Sequence, residues 1–386
     1  MKLIFWISAA VLAYTYCGYP AWLWLRSRLR GLPVSAATFT PSISIAMVVR
    51  NEAGVLERKL KNLLELDYAR ELSEIVVVSD GSSDATNNIL NYHAADCRVR
   101  IVLNPESRGK AAGLNDAIAA ARGEIIVFTD ARQQIEAGAL RLLVAKFSDP
   151  QVGCTSGELM LGDPCGGETA RGMGLYWRIE KKVREMESAS GSVVGATGAL
   201  YAVRRTLVVP VPAETILDDV YIPMHVARQG FRVIFAPEAR AWDVADQGSE
   251  REFSRKVRTL SGNYQLVQLA PWLLTAQNPL RFEFISHKLL RLAAPFFLVT
   301  AFVSTLLLQQ TLYRAALALE VAFYTLGLLA LMKLARGPLA RTADAARTFM
   351  VLNTAAMVAF LKFVSRRKVA WSSRPAENTR ATVEVG

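Results

Sequence analysis

Several acidic positions in this chain each close an apolar run. Asn51-Glu52 follows ISIAMVV, Asp80 ends EIVVVSD, and Asp130 ends EIIVFTD. A further pair, Asp218-Asp219, stands before a helical stretch in LDDVYIP. Singly, each has a bland account. DGSSD, from Asp80 to Asp84, reads equally as a turn with a helix cap, because Gly81 permits tight geometry and Ser83 or Asp84 can accept from the helix N-terminus. Glu52 reads as a first-turn acid of the helix after Gly54. Together they differ, because carboxylates gathered at one edge repel unless a ligand or cation shares the space. Cations stand around the same edge. SRGKAAGLNDA puts Arg108 and Lys110 before a helix whose free N–H groups suit a phosphate, with a solvated loop as the plain alternative. RKVRTLSGNYQ adds Arg255, Lys256 and Arg258. The chemistry on offer is acids for a cation and for hydroxyls, and bases for a polyanion. One detail is odd: in FTDARQ the acid Asp130 is followed two places on by Arg132.

The segments that must position these residues alternate from about Ile43 to Val267. ISIAMVV, EIVVVSD, VRIVLN and EIIVFTD read as strands. Helices are predicted after them: one ending near LELD, one from Asp84, one over KAAGLNDAIAAAR and one starting near Glu136. In the third, Leu114, Ala117, Ile118 and Ala121 recur at helical spacing on one face. Repeated strand–helix units predict an α/β fold, a doubly wound and mostly parallel sheet with helices on both sides. Ligands of such sheets bind beyond the carboxyl ends of the strands, where these acids fall. Tyr176, Ile179, Val183 and Met186 also recur at helical spacing and read as a packing stripe, with Trp177 beside them as a candidate lining of an acceptor channel. His225 reads as structural.

The two ends have another texture. The chain has 386 residues, 52% of them hydrophobic, and a net charge of +11. Much of the basic charge flanks apolar segments, as in Arg26, Arg28 and Arg30, or Arg366, Arg367 and Lys368. That pattern suits a membrane protein with cytoplasmic cationic flanks. No nucleic-acid motif accompanies the charge, so no nucleic-acid partner is expected. Phe5 to Leu25 carries no charge and is long enough to cross a hydrocarbon core of ~30 Å. Leu289 to Leu308 and Ala315 to Met332 read as further spans. Phe349 to Val364 is short, contains Asn353 and Lys362, and reads as interfacial or re-entrant. Glu320, a charge inside an apolar run, reads as functional or as exposed at the interface. The expected division is 1–30, a transmembrane anchor; 40–268, a cytoplasmic catalytic domain; 269–288, an interfacial amphipathic segment; 289–370, a C-terminal transmembrane region; and 371–386, a polar tail. Cys17, Cys97, Cys154 and Cys165 form no CxxC pair, and His93, His225 and His287 are scattered, so neither a zinc site nor a disulfide framework is expected.

VVRNE, VVSDGSSD, RGKAAGLN, VFTDA, GATGALYAVRR, LDDVYIP and RKVRTLSGNYQ, in this order and spacing, resemble the inverting, membrane-bound family 2 glycosyltransferases of GT-A fold, the cellulose, chitin and hyaluronan synthase type. The resemblance runs from about Ser42 to Leu266 and takes in the flanking apolar helices. It implies that Glu52 and Asp80 hold the base and ribose of a nucleotide-diphosphate sugar, with Lys110 nearby. Asp130 matches the first acid of the family's DxD-type motif, the ligand of Mg²⁺ or Mn²⁺. Asp219, beside Asp218, matches the catalytic Asp that deprotonates an acceptor hydroxyl. Arg258, helped by Arg255, matches the Arg of QxxRW that holds the diphosphate. Gly195 to Ala199, with Gly198 among them, matches the lining of the acceptor site; close backbone packing explains that run equally well. Two motifs depart from the pattern. Arg132 replaces the second acid, and Thr259 and Arg255 replace the Trp and Gln of QxxRW. Both departures weigh against a long-chain processive synthase.

The expectation from sequence is an integral protein of the cytoplasmic (inner) membrane that transfers sugar, with UDP-sugar the expected donor, to a saccharide acceptor in exopolysaccharide synthesis, with membrane lipids and other polysaccharide-export proteins as partners. The alternatives are a lipid glycosyltransferase acting on a polyprenyl phosphate or a diacylglycerol, and a non-catalytic nucleotide-sugar-binding scaffold.

Overall fold

The computed structural model describes residues 1–35, 37–162, 175–243, 249–337 and 339–365. Cys165, the basic Arg366 to Lys368 and the expected tail lie outside the described residues.

The first half is the expected alternation. Strands β1 (Ile43–Val49), β2 (Ser73–Asp80), β3 (Val99–Asn104) and β4 (Ile125–Phe128) run in parallel. Between them lie helices α2 (Ala53–Leu64), α3 (Thr86–His93) and α4 (Lys110–Ala120). Side chains of a strand alternate between faces, and the two faces enter different cores. Ile43, Ile45, Met47 and Val49 join Leu56, Leu60 and Leu63 of α2. Ala46 and Val48 join Leu114 and Ala117 of α4. All seven residues of β1 are buried, as expected of a central parallel strand. Each such Leu or Ile contributes roughly 1.5–3 kcal/mol by leaving water. The approach of α4 to β1 is close: a Cβ at Gly113 would lie 2.7 Å from a Val48 methyl.

The second half departs from a purely parallel plan. It contains β5 (Gln134–Ile135), α5 (Ala139–Ala145), β6 (Val152–Leu161), α6 (Leu175–Ser190), β7 (Tyr201–Arg204), α7 (Asp218–Arg228) and β8 (Arg232–Asp243). The sheet order is β3-β2-β1-β4-β7-β6-β8-β5. Strand β7 runs antiparallel to both β4 and β6, and β8 runs parallel to β6. Those two reversals bring the end of β8 to the same edge as the ends of β1, β2 and β4. Asp243 is therefore a fourth strand-terminal acid at that edge. The helix expected near Glu136 begins at Ala139 because Gln134 and Ile135 first pair with β8.

Among the described residues, four helices are long and apolar enough to cross a membrane: α1 (Lys2–Leu29), α9 (Arg281–Leu307), α10 (Thr311–Leu331) and α11 (Leu339–Val364). Helix α8 (Ser249–Leu269) precedes the last three. Helix α9 starts earlier than the apolar run predicts, so the second half of the expected interfacial segment is its first turns. Helix α11 is also longer than the expected Phe349 to Val364. Its Ala346 and Met350 meet Gly327 of α10, while Ala355 and Ala359 pack on Val257 of α8 beside Phe253, Leu260 and Tyr264. Glu320 of α10 accepts a hydrogen bond from Thr305 Oγ1 of α9 at 2.9 Å.

A buried polar junction ties these helices to the sheet domain. Glu187 Oε1 of α6 accepts from Tyr19 Oη at 2.6 Å and lies 2.7 Å from His287 Nδ1. His287 Nε2 lies 3.0 Å from Glu180 Oε1, and Arg291 pairs with the same Glu180. Arg26 pairs with Glu283. The stripe read on α6 thus packs outward on α1: Val183 and Met186 are covered by Tyr19 and Leu23. Ile179 is the exception and is exposed, which corrects its placement in a packing stripe.

Candidate active site

Three loops at the carboxyl edge brace one another. Asn51 adopts φ +52, which lets its side-chain oxygen accept from the Ser83 N–H at 2.8 Å. Asp84 accepts from the N–H of Thr86 at 2.9 Å, two residues on in its own turn, and from the N–H of Ala53 at 3.1 Å across the loops. The Glu52 N–H donates to Thr86 Oγ1 at 3.0 Å. Gly81 has φ +62 and lies so near Ser107 that a Cβ would sit 2.4 Å from its backbone nitrogen. Only glycine fits there.

That approach aims Asp80 at the loop before α4. Asp80 is fully buried, and its oxygens accept from Ser107 Oγ (2.7 Å), the Arg108 N–H (2.8 Å) and the Gly109 N–H (2.9 Å). Its carboxylate is thus committed to shaping the loop that launches Lys110. Arg108 turns away from the edge and pairs with Asp116.

Lys110 is the hub of the charged groups. Its Nζ lies 3.1 Å from Asp130 Oδ1 and 3.2 Å from Asp218 Oδ1. Despite burial, these carboxylates and Asp219 hold its ammonium well above the usual lysine range. Asp219 is held differently. Its Oδ2 accepts from the Gly198 N–H at 3.0 Å, and its carbonyl accepts from the Ala196 N–H at 2.7 Å. Burial, with the adjacent Asp218 carboxylate, pushes the Asp219 carboxyl up to about 6, against the opposing pull of Lys110. A Cβ at Gly198 would lie 3.4 Å from Asp219 Oδ2 and 3.6 Å from Asp130 Oδ2. Gly195, at φ +87, packs on Val220, and Thr197 donates its N–H to Ser156 Oγ, which Arg184 of α6 also holds. The glycine run therefore packs closely at Gly195, against Val220, and at Gly198 it presents no side chain to the two carboxylates.

Arg132 reaches Asp243 rather than the space before Asp130. Its Nη2 lies 3.7 Å from Asp243 Oδ1. The buried Asp243 also accepts from Gln133 Nε2 at 3.0 Å and faces Arg255 Nη1 at 3.4 Å. Arg132 and Arg255, two of the three departures from the family pattern, thus share one acid. Arg258 lies one turn before Gly262, whose Cα packs on Leu217, directly ahead of Asp218. Trp177 is exposed, with its ring edge against Tyr176. His225 is wedged between Tyr221 and Trp272, as a structural residue would be.

Two participants escape a reading of the sequence. Asp243 ends the apolar β8, the same signal that marks Asp80 and Asp130. Lys59 gives no signal, since it stands in ERKLKN among surface cations, yet it is buried. Burial draws its ammonium down to about 7, opposed by the Asp130 carboxylate.

Among the described residues, no cluster of three or more His, Cys, Asp or Glu could hold a metal ion. Asp130, with a carboxylate 41% exposed, is a single hard oxygen donor. That donor set fits Mg²⁺ or Mn²⁺ only where a ligand brings further oxygens, as a diphosphate does.

A sheet of this order, with acids and a lysine gathered beyond its strand ends, has the architecture of the GT-A fold. Residues 44–209 match the family described as Glycosyl transferase family 2. The chain is 24% identical over 234 residues to poly-beta-1,6-N-acetyl-D-glucosamine synthase of Staphylococcus aureus (strain MSSA476), covering 58% of this chain and 55% of that protein. It is also 24% identical over 240 residues to the probable glycosyltransferase YdaM of Bacillus subtilis (strain 168), covering 59% and 56%. The chain thus spans about half the length of the curated relatives it matches. Among solved structures, the mannosyltransferase PcManGT from Pyrobaculum calidifontis, in complex with GDP-Man and Mn2+, superposes with a TM-score of 0.74 at 25% identity. That match covers 95% of this chain and 100% of the other, so it takes in the apolar helices as well as the sheet.

Proposed function

We propose that this protein is a membrane-embedded inverting glycosyltransferase that moves a sugar from a nucleoside-diphosphate sugar to a saccharide or lipid-linked acceptor. The observation that carries the reading is the facing of Asp130 and Asp219 across Gly198, with Lys110 between Asp130 and Asp218. Transfer with inversion needs a base beside the attacking hydroxyl and cations beside the departing diphosphate. Asp219 is the base. Its raised proton affinity suits proton removal near neutral pH, and the Gly198 N–H fixes the carboxylate. Asp218 is tied by Lys110 and serves to hold that ammonium. Lys110 and Arg258 supply positive charge to the diphosphate. Asp80 acts through the loop it shapes, and Glu52 stands at the mouth of the neighbouring loop where a base and ribose would lie. A divalent cation held by Asp130 and the donor diphosphate would supply further stabilisation of the leaving group.

The full-length likeness to a protein holding GDP-Man widens the donor beyond the expected UDP-sugar, and the poly-N-acetylglucosamine synthase relative supports a sugar-polymer product. The catalytic domain is read as cytoplasmic, on the side of the basic Arg26–Arg30 flank. The test is donor hydrolysis and transfer by the purified full chain, screening GDP- and UDP-sugars with and without Mn²⁺. Turnover by wild type that Asp130→Ala and Asp219→Asn each abolish supports the reading; turnover retained in either variant overturns it. Product size then separates the acceptors: a polymer supports the saccharide, and one sugar per lipid supports the lipid glycosyltransferase.

A further inference from the structure

Beneath Asp130 lies a lysine that touches no reacting group. Lys59, on α2, is 1% exposed. Its Nζ donates to Thr129 Oγ1 at 2.9 Å and to the Gln133 carbonyl at 2.7 Å. These partners stand on either side of Asp130 in the chain. Thr129 Oγ1 in turn donates to the Ala199 carbonyl at 2.8 Å. A single ammonium therefore ties together the strand end that carries Asp130 and the loop that carries Gly198, the two walls of the cleft.

Burying an ammonium is unfavourable, and an apolar chain of the same length would fill the space without that penalty. What the ammonium adds is two directed bonds and a positive charge under a carboxylate. With Arg132 in the place of a second acid, Asp130 is the only carboxylate of its loop, so no neighbour can make up for a misplaced one.

We propose that Lys59 is a positioning residue that sets the place of Asp130 against the Gly198 loop, and thereby how tightly the protein holds a divalent cation together with a nucleoside diphosphate. The proposal rests on Asp130 having the role given above. Groups that orient a metal ligand from behind account for about 10–100-fold in metal affinity, and that is the range expected here.

The measurement is Mn²⁺ binding by electron paramagnetic resonance, in the presence of GDP and then UDP, using the full chain in detergent. Thermal unfolding without metal is followed alongside. Lys59→Met should weaken Mn²⁺ binding by about 10–100-fold in protein that is still folded. A purely structural lysine would lower the unfolding temperature and leave Mn²⁺ binding by the folded protein unchanged; that result overturns the proposal. If Lys59→Met does not purify folded, Thr129→Val removes the hydroxyl relay while keeping Lys59 and should weaken Mn²⁺ in the same direction; unchanged binding again overturns the proposal. Asp130→Ala separates the two levels. Should it keep wild-type Mn²⁺ binding, the role of Asp130 fails and the proposal with it. Should it lose binding while Lys59→Met does not, only the inference about Lys59 fails. Wild type that holds no Mn²⁺ with either nucleotide overturns both.

Discussion

Asp130 and Asp219, which belong to different strand–helix units, point their Oδ2 atoms at the same side of Gly198, 3.6 Å and 3.4 Å from where its Cβ would stand. The gap exists because position 198 has no side chain. At those distances a methyl group would make ordinary contacts and strain nothing. Gly198→Ala should change stability by less than about 1 kcal/mol. It should lower kcat/KM by about 10²-fold by intruding where the reacting atoms meet. Steady-state kinetics beside thermal unfolding checks this; an active Gly198→Ala would place the reaction elsewhere.

Asp219→Asn keeps an oxygen for the Gly198 N–H and removes the ability to take a proton. The expected result is a fall in kcat of about 10²–10⁴-fold with donor KM little changed. Asp218→Asn should behave differently. It loosens Lys110, so donor KM should rise along with the loss in kcat.

The raised proton affinity of Asp219 has two opposite consequences. As a base it must be ionised, so kcat/KM should rise with pH and level off above about 6. Stability should move the other way. The folded protein holds this proton more tightly than the unfolded chain, whose carboxyl titrates near 3.8, so the contribution of Asp219 is most favourable below that value and is lost as pH rises to about 6. A pH–rate profile with the apparent value at an ordinary carboxylate position would contradict the assignment.

Arg132 suggests a tempting repair, restoring the second acid of the family pattern. Arg132→Asp should fail. The new carboxylate would stand beside the buried Asp243, which would keep Arg255 and Gln133 as partners among the described residues. Removing one partner of a fully buried pair costs about 3–5 kcal/mol. Arg132 is 33% exposed, so a loss nearer ~1–3 kcal/mol is expected, with no gain in Mn²⁺ dependence. Denaturation curves and metal titrations test both halves.

Much of this was legible before any coordinates. Strands of four to eight apolar residues ending in acids are a strong signal, because burial on both faces forces the apolar run and the ligand edge demands the polar end. Four strands and the placing of Glu52, Asp80 and Asp130 at one edge of the sheet followed from that. Other features were not legible because they depend on facing partners. Asp80 reads as a ligand group from sequence, and its carboxylate accepts from Ser107 Oγ and the N–H groups of Arg108 and Gly109 in the loop before α4. Arg108 looked like a phosphate ligand, and Asp116, two turns along α4, takes it. Lys59 gives no signal in the sequence because it stands among surface cations, and its bonds to Thr129 and Gln133 reveal its place. Helix α11 was underestimated because Arg341, Asp344 and Arg347 dilute its first turns. The antiparallel β7 could not be foreseen, since four residues carry no direction.

The contact between α8 and α11 changes where one would cut this molecule. By composition, a water-soluble catalytic fragment should end near Leu269. Yet the helix that carries Arg255 and Arg258 turns Phe253, Val257, Leu260 and Tyr264 towards Ala355 and Ala359. A fragment trimmed at that point would bare an oily stripe on the rod that bears Arg255 and Arg258, and it should clump or lose its grip on donor. The enzyme's working edge and its bilayer-seeking part share a seam, and scissors applied to the chain do not follow it.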